Sequence, residues 1–220
     1  MLITGGQIMT NMITLLFNKT LQAGLYPHAW GEGVITSLFK SGDINSTNNY
    51  RGITISSCLG KLFNSILNRR LDVFSIENEL KCKEQIAYES GSRTVDHIFV
   101  LQTLTNQYFS KKDKFYGCFV DMKKAFDSVL HNAILYKLFE ENVNGKFHEI
   151  ITNMYETTKI SVKVNQQEKT ESFPCKVGIR QGDNLSPNLF KFIMKDLPRQ
   201  LENAESDPLI FRPVPSHSAG

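Results

Sequence analysis

Residues 115–128 constrain the fold of this chain more than any other segment. They form the sequence FYGCFVDMKKAFDS, in which an apolar run leads to Asp121 and apolar residues recur at helical spacing from Lys123 onward. The run predicts a strand buried on both faces, and the continuation predicts an amphipathic helix. Asp121 would then end a strand, where a carboxylate suits a hard cation such as Mg²⁺. An aspartate after a strand is also a common helix cap, and this segment alone favours the cap.

A second motif, at residues 177–190, combines glycines with polar side chains. In VGIRQGDNLSPNLF, Gly178 and Gly182 bracket Arg180 and Gln181, and residues 184–187 predict the start of a helix. Glycine lets the backbone approach a ligand closely, and a glutamine side chain offers both a donor and an acceptor. A simple turn before a helix is the alternative interpretation.

Three other segments have a clear period. Apolar residues between Met9 and Phe17 predict a packing helix that ends near Gly24, and those between Leu59 and Leu67 predict a second helix. Residues 160–165, ISVKVN, alternate and return through residues 173–177, which predicts a hairpin.

These motifs together resemble the reverse transcriptase family, specifically the polymerases of non-LTR retrotransposons. FVDMKKAFDSV is similar to the first palm motif of that family, and GIRQGDNLSPNLF is similar to the second. Residues 27–71 resemble its fingers region, and the segment QIAYESGSRTVDHIFVLQTL, from Gln85, resembles the next block. The resemblance extends to about Pro208.

The resemblance implies an α+β, right-hand polymerase architecture with fingers and a partial palm. Helical fingers, residues 1–114, would pack on a mainly antiparallel palm sheet, residues 115–206. Residues 207–220 contain three prolines with serines and a glycine, so we expect a disordered tail.

The resemblance also implies roles for individual residues. Asp121 would be catalytic and bind metal, the backbone of Lys124 and Ala125 would lie near the triphosphate, and Phe126 would be the gate that excludes a ribose 2′ hydroxyl. Asp127 is expected to be structural. The other implied nucleotide-binding residues are Lys40, Arg51, Gln181 and Gly182, and the implied nucleic-acid contacts are Arg180, Lys61, Arg69 and Arg70. Taken singly, Lys40 and Arg51 are more typical of solvated surface charges, whereas Lys61, Arg69 and Arg70 fit a solvated helix face and a phosphate contact equally well.

The implied reaction joins deoxynucleoside triphosphates to a DNA primer on an RNA template, with Mg²⁺ or Mn²⁺ stabilising the attacking and leaving oxygens. Two departures from the family are visible. Glu89 occupies a position that is commonly basic, and the third palm motif is missing because no two aspartates are adjacent. The second ion site is therefore incomplete, and we expect a truncated polymerase with little activity alone. The alternatives are a non-catalytic RNA- or nucleotide-binding remnant and a non-functional retroelement product.

Composition adds little to this interpretation. A net charge of +3 is only mildly basic, and the four cysteines form no CxxC pair that would indicate a zinc site. No apolar run approaches the roughly 20 residues that span a bilayer, and no secretory leader is evident. We expect a soluble intracellular protein of the cytoplasm or nucleus, without a membrane partner.

Overall fold

The computed structural model describes residues 5–80, 85–89, 91–165 and 168–205. The predicted tail, residues 207–220, lies outside the described residues. The helices are α1 (Gly6–Ala23), α2 (His28–Gly31), α3 (Cys58–Glu77), α4 (Thr94–Ser110), α5 (His131–Glu140), α6 (Gly145–Glu156), α7 (Ser186–Met194) and α8 (Leu197–Glu205). The strands are β1 (Glu32–Phe39), β2 (Tyr50–Ser56), β3 (Lys159–Val162) and β4 (Phe173–Pro174). No helix in the described part of the chain is long and apolar enough to cross a membrane.

Helix α1 confirms the first predicted helix and its end. Gly24 adopts a left-handed conformation with φ of 69°, and its N–H bonds to carbonyls of the last turn. Phe17 is buried, whereas Met12 and Leu16 are exposed, so only part of the predicted apolar face packs.

The sheet is mixed, with strand order β2-β1-β3-β4. Strand β1 pairs antiparallel with β2 and parallel with β3, and β3 pairs antiparallel with β4. A mixed α+β fold is thus confirmed. The region before residue 115, for which helical fingers were predicted, also contains a hairpin of β1 and β2. The two strands pair with each other across the loop of residues 40–49, which satisfies backbone groups of both strands.

The predicted hairpin at residues 160–177 is confirmed. Ile160 lies opposite Phe173, and the N–H of Val164 donates to the carbonyl of Glu168. Residues 166 and 167, at the predicted turn, lie outside the described residues.

The core forms where α3 meets the other helices. Phe63, Leu67 and Leu71 of α3 are each no more than 2% exposed, as their helical spacing predicts. Phe63 contacts the rings of Phe17 and Trp30, with centroids 5.2 and 5.5 Å away. The fully buried residues of the other helices are Ile134, Leu138, Ile150, Ile151 and Leu189.

The apolar run before Asp121 does not form the predicted strand. Residues 114–122 have no regular structure, and Phe119 and Val120 are 87% and 81% exposed. A strand buried on both faces needs neighbouring strands to bond its backbone groups, and the described sheet consists of β2, β1, β3 and β4 alone. No strand in the described residues pairs with the run.

The prediction that a helix begins at Lys123 is also wrong. Residues 123–128 form turns, and α5 begins at His131. Lys124 has a φ of 52°, in the left-handed region that interrupts a right-handed helix.

Candidate functional site

The two motifs contact each other along their backbones. Val177 bridges to Leu130, the N–H of Gly178 donates to Val129 O at 2.7 Å, and the N–H of Ile179 donates to Phe126 O at 2.9 Å. Gly178 has a φ of 92°, and a Cβ there would lie only 3.1 Å from Asp127 O. Glycine at this position therefore allows the close approach of the two motifs.

Gln181 joins the second motif to two other elements. Its Nε2 donates to Asp127 Oδ1 at 3.0 Å, and its carbonyl accepts from the N–H of Thr54 in β2 at 3.3 Å. Asp127 thus makes a structural contact, as the sequence predicted, although its partner is the amide of Gln181. Gly182 follows with a φ of 100°, and a Cβ there would lie 3.6 Å from Thr54 O.

Lys40 and Arg51 lie at the far end of the β1–β2 hairpin. Arg51 pairs with Leu38, and the N–H of Lys40 donates to Asn49 O. This register puts Lys40 and Arg51 in diagonal positions on one face of the hairpin, with Cα atoms roughly 7–8 Å apart. Both residues are exposed. Arg51 is three residues from Thr54, or roughly 10 Å along the strand.

Phe126 lies in the turn that follows Asp121. The N–H groups of Asp127 and Ser128 both donate to Lys124 O, which closes the turn. Lys124 is exposed, whereas Ala125 and Phe126 are half-buried, and Phe126 packs against the core. The turn therefore holds the predicted triphosphate and gate residues beside Gln181.

Asp121 is exposed at the end of the irregular segment 114–122. Within the described residues, no group of three or more His, Cys, Asp or Glu side chains could hold a metal ion. The Asp127 carboxylate accepts from Gln181. The donor set of the described residues does not fit a complete site for two metal ions.

Comparison with known proteins identifies the family. The family described as "Reverse transcriptase (RNA-dependent DNA polymerase)" matches residues 40–211. This chain belongs to the reverse transcriptase family. The predicted resemblance to the reverse transcriptase family is thus confirmed, and relatives of the chain include polymerases of non-LTR retrotransposons.

Several relatives of the chain are encoded by mobile elements. It is 26% identical over 189 residues to the probable RNA-directed DNA polymerase from transposon BS of Drosophila melanogaster, covering 84% of this chain and 20% of the relative. It is 29% identical over 181 residues to the Pol polyprotein of the R2 element of Popillia japonica, covering 80% and 24%. For the RNA-directed DNA polymerase from mobile element jockey of Drosophila funebris, the identity is 28% over 193 residues, covering 86% and 20%. The chain spans about a fifth to a quarter of the length of these relatives.

Arg180 of this reverse transcriptase chain is bonded within the protein. Its guanidinium donates to Trp30 O at 3.2 Å, to Gly31 O at 2.6 Å and to Thr158 Oγ1 at 2.8 Å. These bonds fix the second motif to the corner between α2, β1 and β3. A nucleic-acid contact by Arg180, which the resemblance implies, would have to use its remaining donors.

A buried polar network behind the second motif was not predicted. Asn64 Nδ2 donates to Asp183 Oδ2 at 2.7 Å, and the Tyr26 hydroxyl donates to Asn64 Oδ1 at 3.2 Å. Asp183 Oδ1 also accepts from the N–H of Leu185, just before α7. Burial raises the pKa of Tyr26 to about 12, so its hydroxyl stays protonated and donates. A sequence signal existed, since Asn64 is a polar residue on the apolar face of α3.

The three basic residues predicted on α3 are distributed along its outer side. Arg69 and Arg70 are exposed, and Lys61 is half-buried. Arg69 and Arg70 line an open groove with Ile66, Val73 and Phe74. Ser65, which also lines this groove, accepts a hydrogen bond at Oγ from Asn184 Nδ2, and this bond connects α3 to the second motif.

Proposed function

We propose that this chain provides part of the active site of an RNA-directed DNA polymerase, which extends a DNA primer on an RNA template. The main support is the position of Gln181, which bonds to the first motif through Asp127 and to the β1–β2 hairpin through Thr54. Three segments that the resemblance assigns to one nucleotide site are therefore neighbours in the fold.

In this proposal, each segment contributes one kind of contact to the incoming deoxynucleoside triphosphate. Lys40 and Arg51 bind the phosphates, because several negative charges need converging cations. The turn at residues 124–126 borders the triphosphate and the sugar, and Gln181 with Gly182 borders the base or the template. The proposed nucleic-acid contacts are Lys61, Arg69, Arg70 and the remaining donors of Arg180. Residues 1–114 would then act as fingers and residues 115–206 as part of a palm.

Reverse transcriptases generally use divalent metal ions, and Asp121 is the carboxylate we propose as a ligand and catalytic residue. The sequence has no adjacent pair of aspartates to complete a two-metal site. We therefore propose that the other metal ligands come from outside these 220 residues, and that the chain alone synthesises little or no DNA.

The first test is equilibrium binding of a deoxynucleoside triphosphate to the whole chain in Mn²⁺. We expect Lys40→Ala and Arg51→Ala each to weaken binding roughly ten- to a hundredfold, because each removes a charge-assisted contact of about 1.5–3 kcal/mol. Lys19→Ala, an exposed lysine on α1, is the matched control and should leave binding unchanged. Equal affinity in all three variants would contradict the proposed phosphate site.

Primer extension on an RNA template then tests the catalytic assignment. The chain is assayed beside Asp121→Ala and, as a control, Asp113→Ala, which changes an exposed aspartate in the same stretch. If the chain synthesises DNA and Asp121→Ala abolishes this synthesis whereas Asp113→Ala does not, the catalytic role of Asp121 is supported. That result would also contradict the expectation that the chain alone is inactive. Nucleotide binding without synthesis would fit the site that we propose, and a chain that binds neither nucleotide nor RNA would contradict it.

A further inference from the structure

The Phe126 ring lies beside two other aromatic rings from distant parts of the sequence. Its centroid is 4.9 Å from that of Phe190 in α7 and 6.1 Å from that of Tyr88. Tyr88 belongs to the described segment 85–89, which precedes α4. Tilted rings at such distances attract each other. Both neighbours therefore restrict where the Phe126 ring can lie.

The backbone of Tyr88 is strained. Its φ is 62°, in the left-handed region that is unfavourable for a bulky side chain. Such residues persist only where the surrounding structure holds them, and they are concentrated at ligand sites. Contacts around residue 88 must therefore hold Tyr88 in this conformation.

An ion pair next to Tyr88 fixes this segment to α7. Glu89 Oε1 lies 2.5 Å from Lys191 Nζ, and these two side chains are only 18% and 13% exposed. Lys191 also lies 3.8 Å from Asp72 of α3. A basic side chain at position 89 would repel Lys191, so the acidic residue that departs from the family pattern allows this attachment.

We propose that Tyr88 and Phe190 are positioning residues that hold the Phe126 ring against the sugar of the incoming nucleotide, and that the Glu89–Lys191 ion pair holds Tyr88. This inference rests on the proposed function, because Phe126 borders a sugar only if the site binds a nucleotide. A ring that packs against two other rings is less free to turn aside and admit a 2′ hydroxyl. Preference for deoxyribose therefore depends on Tyr88, which acts through its contact with the Phe126 ring.

The test is the ratio of the dissociation constants for GTP and dGTP, measured with the whole chain in Mn²⁺. We expect Tyr88→Ala to reduce the preference for dGTP roughly three- to tenfold, the equivalent of one aromatic contact. Tyr88→Phe keeps the ring and should retain the preference. Tyr136→Ala removes a tyrosine that is 60% exposed on α5 and should also retain it.

A second variant, Glu89→Gln, keeps every ring but removes the charge that attracts Lys191. It should reduce the preference in the same direction, and it decides the question if Tyr88→Ala does not fold. If Tyr88→Ala and Glu89→Gln both keep the wild-type preference for dGTP over GTP, this inference is overturned and the proposed function stands. The same holds if the variants lose affinity equally for the two nucleotides. A wild-type chain that binds neither nucleotide overturns the inference and the proposed function together.

Discussion

The two motifs differ in how this chain holds them. The second motif is attached on several sides, through Arg180 to the α2–β1 corner, through Asp183 to α3 and through Gln181 to β2. Among the described residues, the bonds of the first motif to the second begin at Phe126, and the Phe115 ring contacts Tyr108 of α4, whereas Phe119 and Val120 are more than four fifths exposed. The loop with Gln181 is thus held more firmly than the residues that lead to Asp121.

This difference implies that stability and catalysis depend on different residues of the two motifs. Residues that fix the second motif are buried or half-buried, so we expect their replacement to change the free energy of unfolding. Residues 119–121 are exposed and include the proposed catalytic carboxylate, so we expect them to contribute little to that free energy. Variants in the two motifs should therefore fall into two classes, those that change stability and those that change catalysis.

The largest difference is expected between two aliphatic truncations. Leu189→Ala, at a fully buried position of the second motif, should lower the free energy of unfolding by about 2–5 kcal/mol because it leaves a cavity. Val120→Ala, at a position 81% exposed in the first motif, should change it by less than about 0.5 kcal/mol. Urea unfolding of both variants measures the difference. Similar losses would mean that residues 115–120 pack in the folded state.

A somewhat smaller loss is expected from the buried network. Asp183→Ala removes the acceptor of Asn64 and of the Leu185 N–H, so it should lower the free energy of unfolding by about 2–4 kcal/mol. Asp113→Ala, at an exposed position, is the control. A double-mutant cycle with Asn64→Ala should show non-additive losses, because the two residues share one hydrogen bond. Additive losses would contradict the network.

Arg180 and Arg69 offer a sharper comparison of structural and binding roles. Arg180→Met removes the donor to Trp30 O, Gly31 O and Thr158 Oγ1, and should lower the free energy of unfolding by about 1.5–3 kcal/mol. Arg69→Met should leave stability within about 0.5 kcal/mol but reduce the salt slope of RNA binding by about one. Thermal unfolding and salt-dependent RNA binding measure both effects. Unchanged stability in Arg180→Met would favour a purely nucleic-acid role.

Sequence periodicity predicted the elements whose partners are local or strongly apolar. Helices α1, α3 and α7 and the hairpin of β3 with β4 formed near their expected positions, because their spacing defines a buried face. The run at residues 115–120 had the composition of a central strand, but a strand depends on neighbours that composition does not supply. The contacts of Arg180 were also beyond prediction, since its carbonyl acceptors are 149 and 150 residues away in the sequence.

The smallest expected effect is a pH dependence at the junction of the two motifs. His131 Nε2 lies 2.8 Å from Gly178 O, and its ring centroid is 4.2 Å from that of Tyr155. Burial lowers the pKa of His131 below its usual value of 6.5, despite the opposing effect of the Gly178 carbonyl. The unfolded chain therefore binds a proton more readily than the folded chain. Neutral His131 therefore stabilises the folded chain fully above pH 6.5. This contribution is lost as the pH falls through the pKa of His131 in the folded chain, by at most about 1.4 kcal/mol per pH unit.

Replacement of the titrating group isolates this effect. His131→Gln does not titrate, and its amide can still donate to the Gly178 carbonyl, so the free energy of unfolding should lose this slope below pH 6.5. Urea unfolding at pH 7.5, 6.5 and 5.5 compares the variant with wild type, and His97→Gln, on the exposed helix α4, is the control. Equal slopes in His131→Gln and wild type would assign the acid sensitivity to other groups. If the free energy of unfolding falls more steeply with decreasing pH in wild type than in His131→Gln, protonation of His131 weakens the junction between the two motifs. The proposed nucleotide site depends on that junction, so it should be acid-sensitive as well.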